Sequence, residues 1–145
     1  MAEQTEGTIL IEAAPEDVME VIADFPAYPD WSDVESAEVV EEGEDGRGAA
    51  VAFEVSQMGF TASYTLVYDY KPDDAGVSWT TREAEGAVKD VRGEYVLEEA
   101  DGGTKVTYRL AVELGVPVPG LLKRRGEKRV VNAALEGLKR RVEEG

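Results

Sequence analysis

The chain is 145 residues long, the size of one ordinary domain, and carries 31 acidic against 15 basic residues for a formal charge of -16. It contains neither cysteine nor histidine. That excludes disulfides, thiolate nucleophiles, imidazole bases and nearly every common zinc arrangement, while the acidic balance argues against a phosphate-backbone partner.

The start, MAEQTEGTILIEAAPEDV, has no basic segment followed by an apolar one, and no apolar run is long enough to span a bilayer. A soluble, cytoplasmic protein without an integral membrane segment is expected. Thr8 to Glu12 reads as a strand, with Ile9 and Ile11 on one face. Pro15 opens a short helix in which Val18, Val21 and Ile22 repeat at helical spacing, and Glu16 and Asp17 suit its positive end. It is expected to stop near Asp24. The proline-rich stretch from Phe25 to Trp31 reads as a short irregular turn that tucks its aromatics inward.

Six runs follow, at about 34–42, 49–56, 60–70, 76–83, 88–98 and 104–114, separated by short Gly, Pro and Asp turns. Such short breaks predict an antiparallel meander. Tyr64, Leu66, Tyr68 and Tyr70 share one face of their run, and Val106, Tyr108, Leu110, Val112 and Leu114 oppose charged or polar neighbours. After the stop at Pro117-Val118-Pro119-Gly120, everything from about Leu121 to Glu143 has helical period. Val131, Leu135, Leu138 and Val142 step by four, three and four, and Val130 and Ala134 widen the stripe. The apolar surface that matches this stripe in length is the inner face of the strands, so a bent sheet gripping the helix is expected.

This order of elements resembles the START-like superfamily, also called SRPBCC, which includes the polyketide cyclase/dehydrase proteins and shares its fold with the major birch pollen allergen. The resemblance spans the whole chain. It rests on Ile11-Glu12-Ala13-Ala14-Pro15-Glu16-Asp17-Val18 leading to the Phe25 to Trp31 segment, on Gly93-Glu94-Tyr95-Val96-Leu97 with Gly103 to Tyr108, and on Pro117 to Leu122 opening the last helix. It implies an α+β helix-grip fold: one domain over residues 1–145, a curved antiparallel seven-stranded sheet and two short N-terminal helices around a long C-terminal helix. It also implies an elongated cavity between sheet and helix for apolar ligands such as lipids, quinones or polyketides. Some members are aromatases or cyclases and many only bind or carry.

The expected wall of that cavity is Trp31, Phe53, Val55, Phe60, Tyr64, Leu66, Trp79, Tyr95, Tyr108, Leu110, Leu114, Val118, Leu122, Val130, Val131, Ala134 and Leu138. Aromatic side chains with polar tips suit an apolar pocket that has a few hydrogen-bonding points, although core packing explains each one singly. Gly115, Pro117, Pro119 and Gly120 form the expected mouth. Residues 119–145 hold eight basic and four acidic side chains, net +4, which leaves seven basic and twenty-seven acidic, net -20, for residues 1–118. Lys123, Arg124 and Arg125 stand where the helix dipole disfavours cations, so acidic loops such as Glu41 to Asp45, or an anionic ligand group or membrane surface, are their expected compensation. Asp90, Arg92 and Glu94 are expected on the outer face in cross-strand ion pairs rather than as acid/base catalysts.

The reading is therefore a monomeric binder or carrier of an apolar or amphipathic small molecule, with no metal, no cofactor and no nucleic acid, and with transient membrane-surface contact. Two alternatives stand beside it: a cyclase, aromatase or dehydratase using the same cavity, and a groove that binds a protein partner.

Overall fold

The computed structural model describes residues 4–32, 34–43, 46–57, 60–115 and 117–144, and leaves the side chains of Gln57 and Phe60 undescribed. Seven strands form one antiparallel sheet: β1 (Thr5–Ile11), β2 (Val34–Glu42), β3 (Gly48–Gln57), β4 (Phe60–Tyr70), β5 (Gly76–Gly86), β6 (Val88–Ala100) and β7 (Gly103–Leu114). Their order is β1-β7-β6-β5-β4-β3-β2, so β2 to β7 are a meander and β1 closes onto β7. The meander matches the sequence expectation, with β5 running three residues further.

One residue of that strand is inserted. The register steps from Thr65 opposite Glu83 to Leu66 opposite Thr81, which leaves Arg82 as an extra residue in β5. Such a bulge flips the alternation and bends the strand. Further register shifts between β2 and β3, and between Val88 and Asp90 in β6, add to the curvature of the sheet.

The α1 helix (Pro15–Ala23) starts on its proline, with Glu16 and Asp17 in the first turn, and buries Val18, Met19 and Ile22. The stretch read as an irregular turn is ordered as a 3₁₀ turn (Phe25–Ala27) followed by one turn of helix, α2 (Tyr28–Trp31). Both prolines sit in first-turn positions, where a missing N–H costs nothing. Phe25 and Tyr28 are buried, as expected of aromatics tucked inward.

The last helix, α3 (Gly120–Glu144), packs against β1, β7, α1 and α2. Val131, Leu135 and Leu138 are fully or almost fully buried, with Val130, Ala134 and Val142 partly so. Gly137 allows the close crossing with α2, because a Cβ there would overlap the Trp31 carbonyl oxygen. On the outer face, Arg109 of β7 bonds Glu6 of β1 at 2.6 Å and Glu94 of β6 at 3.0 Å, the residues directly opposite it on both sides. Arg92 pairs with Asp90 at 2.8 Å. Glu94 thus pairs across strands as expected, whereas Arg92 and Asp90 pair along β6 itself, and solvent limits each pair to about 0–1 kcal/mol.

Candidate functional site

Alternation along five neighbouring strands sends one set of aromatic side chains to the concave face. Phe53 of β3 lies opposite Tyr64 of β4, Tyr68 of β4 opposite Trp79 of β5, and Tyr95 of β6 opposite Tyr108 of β7. Cross-strand partners stand close enough for ring contact. The centroids are 5.6 Å apart in the first pair, 5.7 Å in the second and 4.6 Å in the third, which is stacked. Trp79 joins the second pair to the third, 5.5 Å from Tyr95 and 5.7 Å from Tyr108. It can do so because its cross-strand neighbour is Gly93, where a Cβ would stand 2.7 Å from the indole. Phe25, 4.8 Å from Tyr68 and 6.2 Å from Phe53, links the strands to the short helices, where Tyr28 stands 4.8 Å from Trp31.

The hydroxyls divide into two groups. Tyr28 donates to the Ile22 carbonyl at 2.5 Å, and Tyr70 to the Gly48 carbonyl at 2.8 Å. Those of Tyr64, Tyr68, Tyr95 and Tyr108 have no hydrogen-bond partner among the described residues. The Trp31 indole N–H is buried without a partner. Among the described residues it is the one enclosed side-chain polar atom in that state, so the four tyrosine hydroxyls are unpaired yet still reachable, and water or a ligand oxygen can accept from them.

Burial pushes the Tyr64 hydroxyl up to about 12, and pushes those of Tyr68, Tyr95 and Tyr108 well above the ordinary tyrosine value. After burial, the charge that Tyr64, Tyr95 and Tyr108 would carry raises Tyr68 further, and that of Tyr95 and Tyr64 raises Tyr108. At neutral pH all four are un-ionised donors. Among the described residues no lysine or arginine is buried with them, and apart from tyrosines the one ionisable side chain that is buried is Glu127. Glu127 of α3 accepts from the Val112 N–H at 2.9 Å and the Thr5 hydroxyl at 3.3 Å, at the edge of β7. Among the described residues no cluster of three or more carboxylates could hold a metal ion.

The residues expected to wall a cavity separate accordingly. Phe53, Leu66, Trp79, Tyr95, Tyr108, Leu110, Val131 and Leu138 are buried in one core, and Trp31, Tyr64, Val130 and Ala134 are partly buried against it. Val55, Leu114 and Val118 are half-buried, and Phe60 lies outside the described side chains. Leu122 is 54% exposed, so it stands on the surface instead of in the concave layer. Lys123 pairs at 3.8 Å with Glu127, while Arg124 and Arg125 are exposed. Of the acidic loop expected to compensate them, Glu41 holds Arg82 at 2.9 Å, and Glu44 and Asp45 lie outside the described residues.

Two members of the site were missed from sequence. Tyr68 shares the parity of Tyr64 and Leu66, so its signal was present. Glu127 lies four residues before Val131 on the buried stripe, and only its charge disguised it.

The comparisons with known proteins agree with this geometry. In the solved structure of a START superfamily protein from Mycobacterium smegmatis, 97% of each chain aligns at 19% identity with a TM-score of 0.86. The Zhui aromatase/cyclase from Streptomyces sp. R1128 aligns over 99% of this chain and 95% of its own at 21% identity, TM-score 0.80. A STAR-related lipid transfer protein from Xanthomonas axonopodis aligns over 97% and 85% at 17% identity, TM-score 0.72. At these identities the likeness shows the fold. No protein of curated function matches the chain significantly. Residues 2–143 match the family model described as polyketide cyclase / dehydrase and lipid transport, and the chain belongs to that family.

Proposed function

We propose that the concave face binds a neutral, largely apolar molecule that presents carbonyl or ether oxygens, and that the protein is its binder or carrier. The observation that carries this reading is the set of four tyrosine hydroxyls on an aromatic bed, with no acceptor and no buried cation among the described residues. A ligand oxygen would supply the missing acceptors, and the rings would supply flat apolar contact. A carboxylate or phosphate placed there would meet no opposite charge, and an unpaired buried anion costs several kcal/mol. Family membership supports an apolar ligand without choosing among lipid, quinone and polyketide.

The test is native mass spectrometry of freshly purified protein, followed by titration with anthraquinone and with its carboxylate derivative. The neutral compound is expected to bind more tightly by at least about a hundredfold, since a desolvated lone charge is that costly. Equal affinity for the two would remove the reading.

A second reading, catalysis of a cyclase kind, draws support from the same donors. Un-ionised tyrosines cannot act as bases at neutral pH, but they can hydrogen-bond a carbonyl oxygen as it gains charge. The likeness to an aromatase/cyclase keeps that reading in view. Turnover of an added poly-ketone by ligand-free protein, lost in the Tyr-to-Phe variants, would favour it over carriage.

A further inference from the structure

The first turns of α3 are unlike the rest of the surface. Leu121 and Leu122 are 63% and 54% exposed, side by side, whereas the other exposed large apolar residues, Leu10 and Val40, stand singly. Directly after the leucines, Arg125, Lys128 and Arg129 are exposed and have no ionic partner among the described residues. With Asn132, Ala133 and Glu136 they line a shallow concavity of about 440 Å³ on the outer side of the helix. Between residues 120 and 129 the one buried side chain is Glu127, which bonds to β1 and β7, and the rest of the stretch is exposed apart from the half-buried Lys123.

Cations at a helix N-terminus oppose the macrodipole, so nothing in the helix itself favours them. Across a chain of net charge -16 the basic residues are scarce, yet five of the fifteen fall between Lys123 and Arg129. Paired exposed leucines flanked by lysines and arginines are the chemistry that lies in a headgroup layer: apolar side chains reach the acyl boundary while cations meet lipid phosphates.

We propose that residues 120–129 dock the protein onto an anionic bilayer, with Leu121 and Leu122 inserted and Arg125, Lys128 and Arg129 on the phosphates. The acidic body does not forbid this. At physiological salt the screening length is about 8 Å, so a body turned away from the surface contributes little repulsion. The remaining acidic group on that face, Glu136, lies two turns further along the helix.

The experiment is co-sedimentation of the full chain with vesicles of phosphatidylcholine and phosphatidylglycerol in equal parts, against vesicles of phosphatidylcholine alone. Binding is expected to the first and not the second, weakening as salt is raised. The Arg125→Glu/Lys128→Glu/Arg129→Glu variant is expected to lose more than about a hundredfold in partition, since each basic side chain near an anionic surface is worth about fivefold. Leu121→Ser/Leu122→Ser should lose at least about tenfold, and the loss should persist in high salt, which distinguishes insertion from pure charge attraction. All substituted side chains are exposed, and unchanged circular dichroism confirms that each variant folds. Equal binding to both vesicles, absence of binding, or binding that survives charge reversal would overturn the proposal. So would vesicle-independent dimerisation through the same residues, which would assign the patch to the acidic surface of a second copy.

Discussion

Replacing tyrosine by phenylalanine at two buried positions should give opposite results, and the difference is set by one hydrogen bond. Tyr28 donates to the carbonyl of Ile22, in the last turn of α1, at 2.5 Å. The last carbonyls of a helix have no intrahelical donor, so this hydroxyl caps one of them from α2. Tyr28→Phe strands a buried acceptor and should cost about 1–3 kcal/mol, a fall of several degrees in Tm for a chain of this length. Tyr108 is as deeply buried but its hydroxyl has no partner among the described residues. Tyr108→Phe removes a hydroxyl that no described residue holds, so stability without ligand should change by less than about 0.5 kcal/mol. With a neutral oxygen-bearing ligand bound, the ranking reverses. Each lost hydroxyl should weaken affinity by about 0.5–1.5 kcal/mol, some two- to twelvefold, at Tyr64, Tyr68, Tyr95 or Tyr108. Urea unfolding at constant m-value reads the first effect and isothermal titration the second. A loss above about 1 kcal/mol for ligand-free Tyr108→Phe would show that a protein group already holds that hydroxyl, and the ligand-facing argument would fail.

Alkaline stability offers an independent check. Burial raises the folded pKa of Tyr64 to about 12, and those of Tyr28, Tyr68, Tyr95 and Tyr108 also rise, so their stabilisation is complete below the unfolded value near 10. It is lost as pH climbs from there; the gap at Tyr64 alone is worth roughly 3 kcal/mol. The tyrosinate absorbance of these five should therefore appear together with cooperative unfolding, and titration of more than one of the six tyrosines in a still-folded protein near pH 10 would contradict the burial. Leu138→Ala, at a fully buried position of α3, should cost about 2–5 kcal/mol by chemical denaturation. Glu127→Ala should cost about 1–3 kcal/mol by stranding the Val112 N–H, whereas Arg92→Ala on the exposed face should change stability by less than about 1 kcal/mol.

Much of the architecture was legible because its signals are local. Period-two alternation with glycine turns located six strands nearly to the residue, and Val131, Leu135 and Leu138 marked the gripped face of α3 in advance. The segment from Phe25 to Trp31 was not, since two prolines in seven residues erase any helical period while still permitting single turns. The bulge at Arg82 was silent too, because an inserted residue between two strands has no composition of its own. The site was half legible: parity assigned the tyrosines to a common face, but whether a hydroxyl finds a partner depends on three other strands and cannot be read along one.

Glu127 shows where a stronger inference was available. Its spacing of four and eight residues from Val131 and Leu135 places it on the buried stripe, and a carboxylate there is costly unless donors await it. The donors come from the end of a strand. The described pairing of β1 with β7 begins at Thr5 opposite Leu110, so among the described residues no strand faces Val112 on that side of β7. The carboxylate takes the place that a longer β1 would occupy, bonding both the Val112 N–H and the Thr5 hydroxyl. A charge at an apolar helical position thus marks the sheet edge it satisfies, and it fixes the register of α3 on the sheet more sharply than the aliphatic stripe, which tolerates sliding.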